Sequence, residues 1–151
     1  LGEWRRVLRP GGRVSVVVFS TPARNDWGAI PASIIRGRAG LEPPLSGQPG
    51  PFALGARGAL EDLFRQAGYE SPEVHAVPVP LRMRDASEYV RLAREAFGAF
   101  NAMMAHLPLR ERESAWNEVE SAMRGFESED GFEVHGECLV GAATKPSVAG
   151  P

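Results

Sequence analysis

The chain holds 151 residues, enough for one ordinary domain with a real core, and its 43% apolar and 24% charged content is that of a globular protein. A formal net charge of −2 argues against a nucleic-acid binder driven by bulk electrostatics. No apolar run approaches the ~20 residues of a membrane helix, and no signal peptide is visible, so a cytoplasmic protein is expected. The single cysteine, Cys138, excludes an internal disulfide and a cysteine-rich metal site. Lys145 is the one lysine among 17 basic residues, a bias that reads as genome composition, not function. The chain starts at Leu1 and not at a methionine, a hint that something upstream was removed or never present.

Leu1, Trp4 and Leu8 share a face at helical spacing, so residues 1–8 read as the end of a helix, stopped by Pro10-Gly11-Gly12. Residues 13–20 follow as a β-branched run, apolar on both faces, which predicts a strand covered on both sides as in a parallel α/β sheet. A short helix is expected over 25–35 with Trp27, Ile30, Ile34 and Ile35 turned inward, then a Gly/Pro-rich loop over 37–58. Leu60, Leu63, Phe64 and Ala67 form a helical stripe closed by Gly68. Residues 74–83 look extended, but Pro78 and Pro80 cannot donate to a ladder and confine the segment to a sheet edge.

Asp85 and Glu88 resemble a capping box opening a long helix with Tyr89, Leu92, Ala96, Phe97, Phe100, Met103 and Met104 on one face. Pro108 breaks it, and a second helix with Trp116, Val119, Met123 and Phe126 completes an αα-hairpin. The run Glu127-Ser128-Glu129-Asp130 reads as a solvated turn, 132–144 as a closing strand, and 147–151 as a frayed tail. This gives a single α/β domain over 1–146 with a helical insertion over 85–127. The last strand follows a hairpin, so the crossover rule does not fix its direction.

The segment Glu3-Trp4-Arg5-Arg6-Val7-Leu8-Arg9-Pro10-Gly11-Gly12-Arg13 resembles the stretch that leads into strand five of class I S-adenosylmethionine-dependent methyltransferases. Phe52-Ala53-Leu54, Gln66-Ala67-Gly68-Tyr69 and Ala143-Thr144-Lys145-Pro146 extend the likeness over essentially the whole chain, toward the ubiquinone and menaquinone biosynthesis branch. The resemblance implies the carboxyl-terminal half of a Rossmann-like fold. About three mixed strands are expected, the last antiparallel between strands five and six, with flanking helices and a helical hairpin. It also implies that the cofactor-binding glycine turn and acidic residue lie upstream. The glycine pairs Gly37-Arg38-Ala39-Gly40 and Gly55-Ala56-Arg57-Gly58 do not follow a strand and open a helix as a cofactor cradle requires. No cofactor is therefore expected on this chain alone, although the intact family uses S-adenosylmethionine.

Methyl transfer rests mostly on positioning, so no catalytic triad is required, and no catalytic residue is assigned. His75 and His135 fall on neighbouring extended segments, yet two histidines without a third ligand make a poor metal site. Cys138, within an apolar stretch, reads as a small hydrophobe. By the resemblance, Ser20, Thr21, Asn25 and Trp27 beyond the 13–20 strand lead toward an acceptor pocket. Asn25, Trp27, Phe52, Phe97, Phe100 and Met104 are the candidate lining for a small apolar molecule, with core packing as the alternative for the insertion residues. The bare edge of Val14–Phe19 predicts a homodimer or docking of a separate amino-terminal half. The expected function is the substrate-side portion of a methyltransferase-like protein, inactive alone. The alternatives are a standalone dimeric domain that binds an apolar ligand, or one half of a split enzyme.

Overall fold

The structure is a computed structural model and describes residues 1–44 and 48–147. The expected frayed tail lies outside these residues except for Ser147, as does the centre of the 37–58 loop. In chain order the elements are α1 (Gly2–Val7), β1 (Arg13–Phe19), α2 (Asp26–Arg38), α3 (Ala59–Gln66), β2 (Glu70–Pro78), β3 (Leu81–Met83), α4 (Ala86–Ala96), α5 (Gly98–Met103), α6 (Leu109–Met123), β4 (Glu127–Ser128), β5 (Gly131–Val134) and β6 (Glu137–Thr144). They form two compact units. The first comprises Leu1–Thr21, Pro49–Pro78 and Glu137–Pro151; the second comprises Pro22–Gln48 and Val79–Gly136.

The first unit is built on a three-stranded sheet ordered β1-β6-β2, and β6 runs antiparallel to both neighbours. The two outer strands are therefore parallel to each other with the last strand of the chain inserted between them. One face of the sheet is packed. Val14, Val16, Val18, Val74 and Leu139 lie against Leu60 and Phe64 of α3, with Tyr69 and Ala143 completing the cluster and Leu1 and Leu8 at its margin. The approach of α3 to the sheet is close. A Cβ at Gly141 would stand 2.7 Å from Leu60 Cδ2 and 2.9 Å from Phe64 Cε2, so the centre of β6 holds glycine.

The opposite face departs from expectation. Arg13, Ser15 and Val17 point away from the cluster, and Val17 is 64% exposed. The expectation of two covered faces is corrected: β-branched residues suit a pleated strand on either face, so the Val16-Val17-Val18 run reports strand identity and not two-sided burial.

In the second unit, β5 lies between β3 and β4 in a small antiparallel sheet, with α2, α4, α5 and α6 packed in the same unit. The extended stretch 74–83 is thus two strands in two sheets, parted at Val79-Pro80, and the stretch 132–144 divides likewise at His135-Gly136. Both β2 and β3 are edge strands, as the prolines require. Asp85 Oδ1 accepts the Glu88 N–H at 2.7 Å, and Glu88 Oε2 accepts the Arg84 N–H at 3.0 Å, a capping box displaced by one residue. Glu127 and Ser128, expected in a solvated turn, instead form the exposed strand β4, and the Glu127 carboxylate takes the Ala86 N–H at 2.7 Å and caps α4.

The single long helix expected after Asp85 is two, because the backbone leaves helical geometry at Phe97 (φ −100°, ψ 72°). This break re-aims the apolar face. Tyr89, Val90, Ala93, Phe100 and Met104 are buried, whereas Ala96 is exposed and Leu92 half-buried. In α2, Trp27, Pro31 and Ile35 are buried, while Ile30 and Ile34 lie on its half-buried flank.

Candidate functional site

The chain leaves β1 through Ser20 and Thr21, makes a 3-10 turn over Pro22–Arg24, and enters α2 at Asn25. Asn25 is fully buried, and its Oδ1 accepts the Trp27 Nε1–H at 3.0 Å. The Trp27 carbonyl in turn accepts the Tyr89 hydroxyl, which is itself fully buried. Burial raises the Tyr89 phenol well above its ordinary pKa, so it remains a donor throughout the neutral range.

The aromatic rings of this unit form two series, joined by the Tyr89–Trp27 hydrogen bond. Trp27 and Phe97 lie 5.2 Å apart, Phe97 and Phe100 5.8 Å, and Phe100 and Trp116 6.1 Å. On the other side, Tyr89 stacks on Phe132 at 5.6 Å, Phe132 meets Phe126 at 6.4 Å, and Phe126 meets the His135 imidazole edge-on at 6.1 Å. His135 Nδ1 then lies 2.9 Å from Asp26 Oδ2, in the first turn of α2 beside Asn25 and Trp27. The contacts close on themselves, from Asp26 through Trp27, Tyr89, Phe132 and Phe126 to His135 and back to Asp26.

The structure brings four of the six nominated residues together, namely Asn25, Trp27, Phe97 and Phe100, of which Phe97 is half-buried and the other three are buried. Met104 is fully buried in the same unit. Phe52 belongs to the other unit, where its ring packs beside Phe19 at 6.2 Å. Two open clefts, of 240 and 340 Å³, are lined by Arg82, Met83, Glu88, Arg91, Leu92 and Glu95, and by Arg38, Arg110, Glu111 and Ser114. None of the six nominated residues lines either one.

His75 stands on β2 opposite Val140, and His106 Nε2 lies 3.1 Å from the Ala39 carbonyl at the end of α2. Among the described residues no group of three His, Cys, Asp or Glu side chains is placed to hold a metal ion. Cys138 is half-buried opposite Phe19, and burial pushes its thiol upward, away from the thiolate a nucleophile needs.

The pairing of His135 with Asp26 is not legible in the sequence. The two are 109 residues apart, and only the glycine after His135 signals that this segment is held closely. A Cβ on Gly136 would stand 2.4 Å from the Val79 carbonyl oxygen and 3.3 Å from Trp27 Cδ1.

The two glycine pairs do not fit an S-adenosylmethionine cradle. A Cβ on Gly55 would stand 2.4 Å from the Ser20 carbonyl group, so its bareness serves packing against the end of β1. Gly58 takes a positive φ of 83° to start α3, and the Gly37–Gly40 pair ends α2 instead of following a strand. No described helix is long and apolar enough to cross a membrane.

No protein-family model and no curated protein matches the sequence. Among solved structures, a Bacillus halodurans C-125 protein provisionally named a methyltransferase is similar over 97% of this chain, at 15% identity and a TM-score of 0.48. Phosphoethanolamine N-methyltransferase 2 of Haemonchus contortus is similar over 97% of this chain at 14% identity and a TM-score of 0.39, in a complex with S-adenosyl-L-methionine and in another with S-adenosylhomocysteine and phosphomonomethylethanolamine. The chain spans 61% of the length of the first and 29% of the second.

Proposed function

We propose that this chain carries the acceptor side of an S-adenosylmethionine-dependent methyltransferase and does not itself hold the methyl donor. The observation that carries this reading is β6, which runs antiparallel between β1 and β2 directly downstream of the Leu8-Arg9-Pro10-Gly11-Gly12-Arg13 motif. Neither the motif nor the topology is demanding alone, but the motif's resemblance implied this strand order, which periodicity could not fix.

The donor would supply an electrophilic methyl carbon on a sulfonium; everything this chain contributes is positioning and acceptor chemistry. The glycine pairs, used for helix ends and close packing, support placing the donor site elsewhere. The outer edge of β1 supports docking of a further strand. In the antiparallel ladder the backbone groups of alternate residues bond to β6, and those of Arg13, Ser15 and Val17 point the other way. In this reading the finer branch, quinone-precursor methylation, supplies the acceptor as a small apolar ring compound.

Calorimetry with S-adenosylmethionine tests the proposal. This chain alone should release no binding heat at micromolar concentrations, whereas the full product of its reading frame, or a mixture with a separately encoded amino-terminal half, should bind the donor. Micromolar binding by this chain alone overturns the reading.

A further inference from the structure

Resting on the acceptor-side reading, we propose that His135, oriented by Asp26, is the base that takes the proton from the O–H or N–H group of the acceptor. A carboxylate 2.9 Å from Nδ1 holds the imidazole with Nδ1–H donating to Asp26 Oδ2, which leaves the Nε2 lone pair as the basic position. The His135 side chain is 75% exposed and Asp26 only 30%, so the orienting carboxylate is the more sheltered partner and the imidazole the more accessible one.

Both partners are held by packed structure. Asp26 sits in the first turn of α2 between Asn25 and Trp27, whose side chains bond each other, and Tyr89 ties the Trp27 carbonyl to α4. The imidazole meets Phe126 edge-on, and Gly136 presses the following peptide against Val79 and Trp27. The neighbouring carboxylate Glu133 is engaged by Arg82 at 2.5 Å. Surface His–Asp pairs without such neighbours are free to rotate apart; here Asp26 and Phe126 each contact the imidazole, the kind of support a working site requires.

The step is a simple proton transfer. The X–H bond of the acceptor breaks, the proton goes to Nε2, and the electron pair stays on X as the nucleophile. The imidazolium so formed is stabilised by the Asp26 carboxylate and returns its proton to solvent, to which it is open. Nucleophile activation of this kind contributes roughly 10²–10⁴-fold.

Two measurements on this chain as it stands test the orientation. Nitrogen-15 NMR of the neutral histidines should show His135 in the Nδ1–H tautomer, and Asp26→Asn should shift that tautomer balance. Diethyl pyrocarbonate should modify His135 several-fold faster than His75 or His106, and Asp26→Asn should erase the difference. An Nε2–H tautomer or equal reactivity of the three histidines overturns the proposal.

A third measurement separates it from the reading on which it rests. The full-length protein is supplied with methyl-labelled S-adenosylmethionine and a small-molecule extract of its native organism. His135→Ala should lower labelled product about 100-fold, with partial rescue by added imidazole, which a purely structural role would not produce. Undiminished transfer by His135→Ala sinks the base while leaving the methyltransferase reading intact. Failure of the wild-type protein to label any product sinks the reading itself, and the inference with it.

Discussion

Gly136 shows how much one missing methyl group can hold in place. The backbone atoms that a Cβ would strike, the Val79 carbonyl oxygen at 2.4 Å above all, cannot swing aside as a side-chain end can. Gly136→Ala should therefore lower stability by about 1–3 kcal/mol, read as a fall in urea midpoint at constant slope. Gly98→Ala is the control. Nothing lies within 4 Å of its Cβ and it opens α5, so a gain of about 0.4–1 kcal/mol is expected. Equal effects at the two positions would show that the close approach carries no strain. Tyr89 gives a second test at this scale. Its folded-state pKa is raised by burial above the ordinary value of 10.0, so above that pH the unfolded chain ionises while the folded one keeps its proton. Stability should be fully present below pH 10 and fall as pH rises beyond it. Tyr69, raised by burial against the opposing charge of Arg5, adds in the same direction. Phenolate absorbance should appear only together with loss of structure; phenolate that forms in an intact fold would contradict the burial argument.

Helices α4 and α6 are tied by one bidentate pair. Both Arg94 guanidinium nitrogens Nη1 and Nη2 donate to the Glu113 carboxylate at 2.9 Å, and the same guanidinium lies 5.3 Å from the Trp116 ring centre. Because the Glu113 side chain is 60% exposed, solvent screening holds the ion pair below about 1 kcal/mol. The stacking on Trp116 adds about 0.5–1 kcal/mol more. Arg94→Ala should thus destabilise more than Glu113→Gln, and a double-mutant cycle should attribute the excess to Trp116. The Arg94 hydrogen bond lowers the Glu113 carboxyl below its usual 4.5, so this contribution is present above that value and is lost as pH falls through the folded-state value. Arg94→Ala should blunt that part of the acid sensitivity. These contacts also mark where the sequence stops being legible. Strand β1, the stripe of α3, the Asp85 cap and the break at Pro108 are all local signals, and all stand in the structure. The break at Phe97 is not local: its ring is drawn between Trp27 and Phe100, and tertiary packing overrides a helical periodicity that runs unbroken through residue 104. The divisions at Val79-Pro80 and His135-Gly136 escaped for a related reason, since each half of a continuous extended stretch pairs in a different sheet. In the candidate site, Asn25 and Trp27 could be nominated from their place beyond β1, but Asp26 and His135 meet only through the fold.

At the scale of the molecule, the sheet of the first unit has unequal edges and unequal faces. The β2 edge carries Glu70, Pro72, Glu73 and Pro78, the charges and prolines that discourage strand addition. The β1 edge carries a single charge, Arg13, followed by Val14, Val16, Val17 and Val18, and nothing in its sequence guards it. The face around Val17 continues across Val140 to His75 and across Cys138 to Val77, where Val77 is 39% exposed. Covering a valine fully is worth roughly 1.5 kcal/mol or more, and an unguarded edge adds backbone hydrogen bonds to that gain. The proposal that β1 recruits either a further strand of the enzyme or a second copy leads to one discriminating substitution. Val17→Lys adds a charge at the centre of the exposed face, where most surface changes leave stability within about 0.5 kcal/mol. Sedimentation velocity on this chain should show concentration-dependent association in the wild type and a monomer in Val17→Lys, at similar urea midpoints. Added amino-terminal half should suppress the self-association by taking the same edge. A wild-type chain that stays monomeric at tens of micromolar and ignores that half would mean the valine-rich margin of β1 is satisfied by water, and the docking proposal would then have no physical driving force.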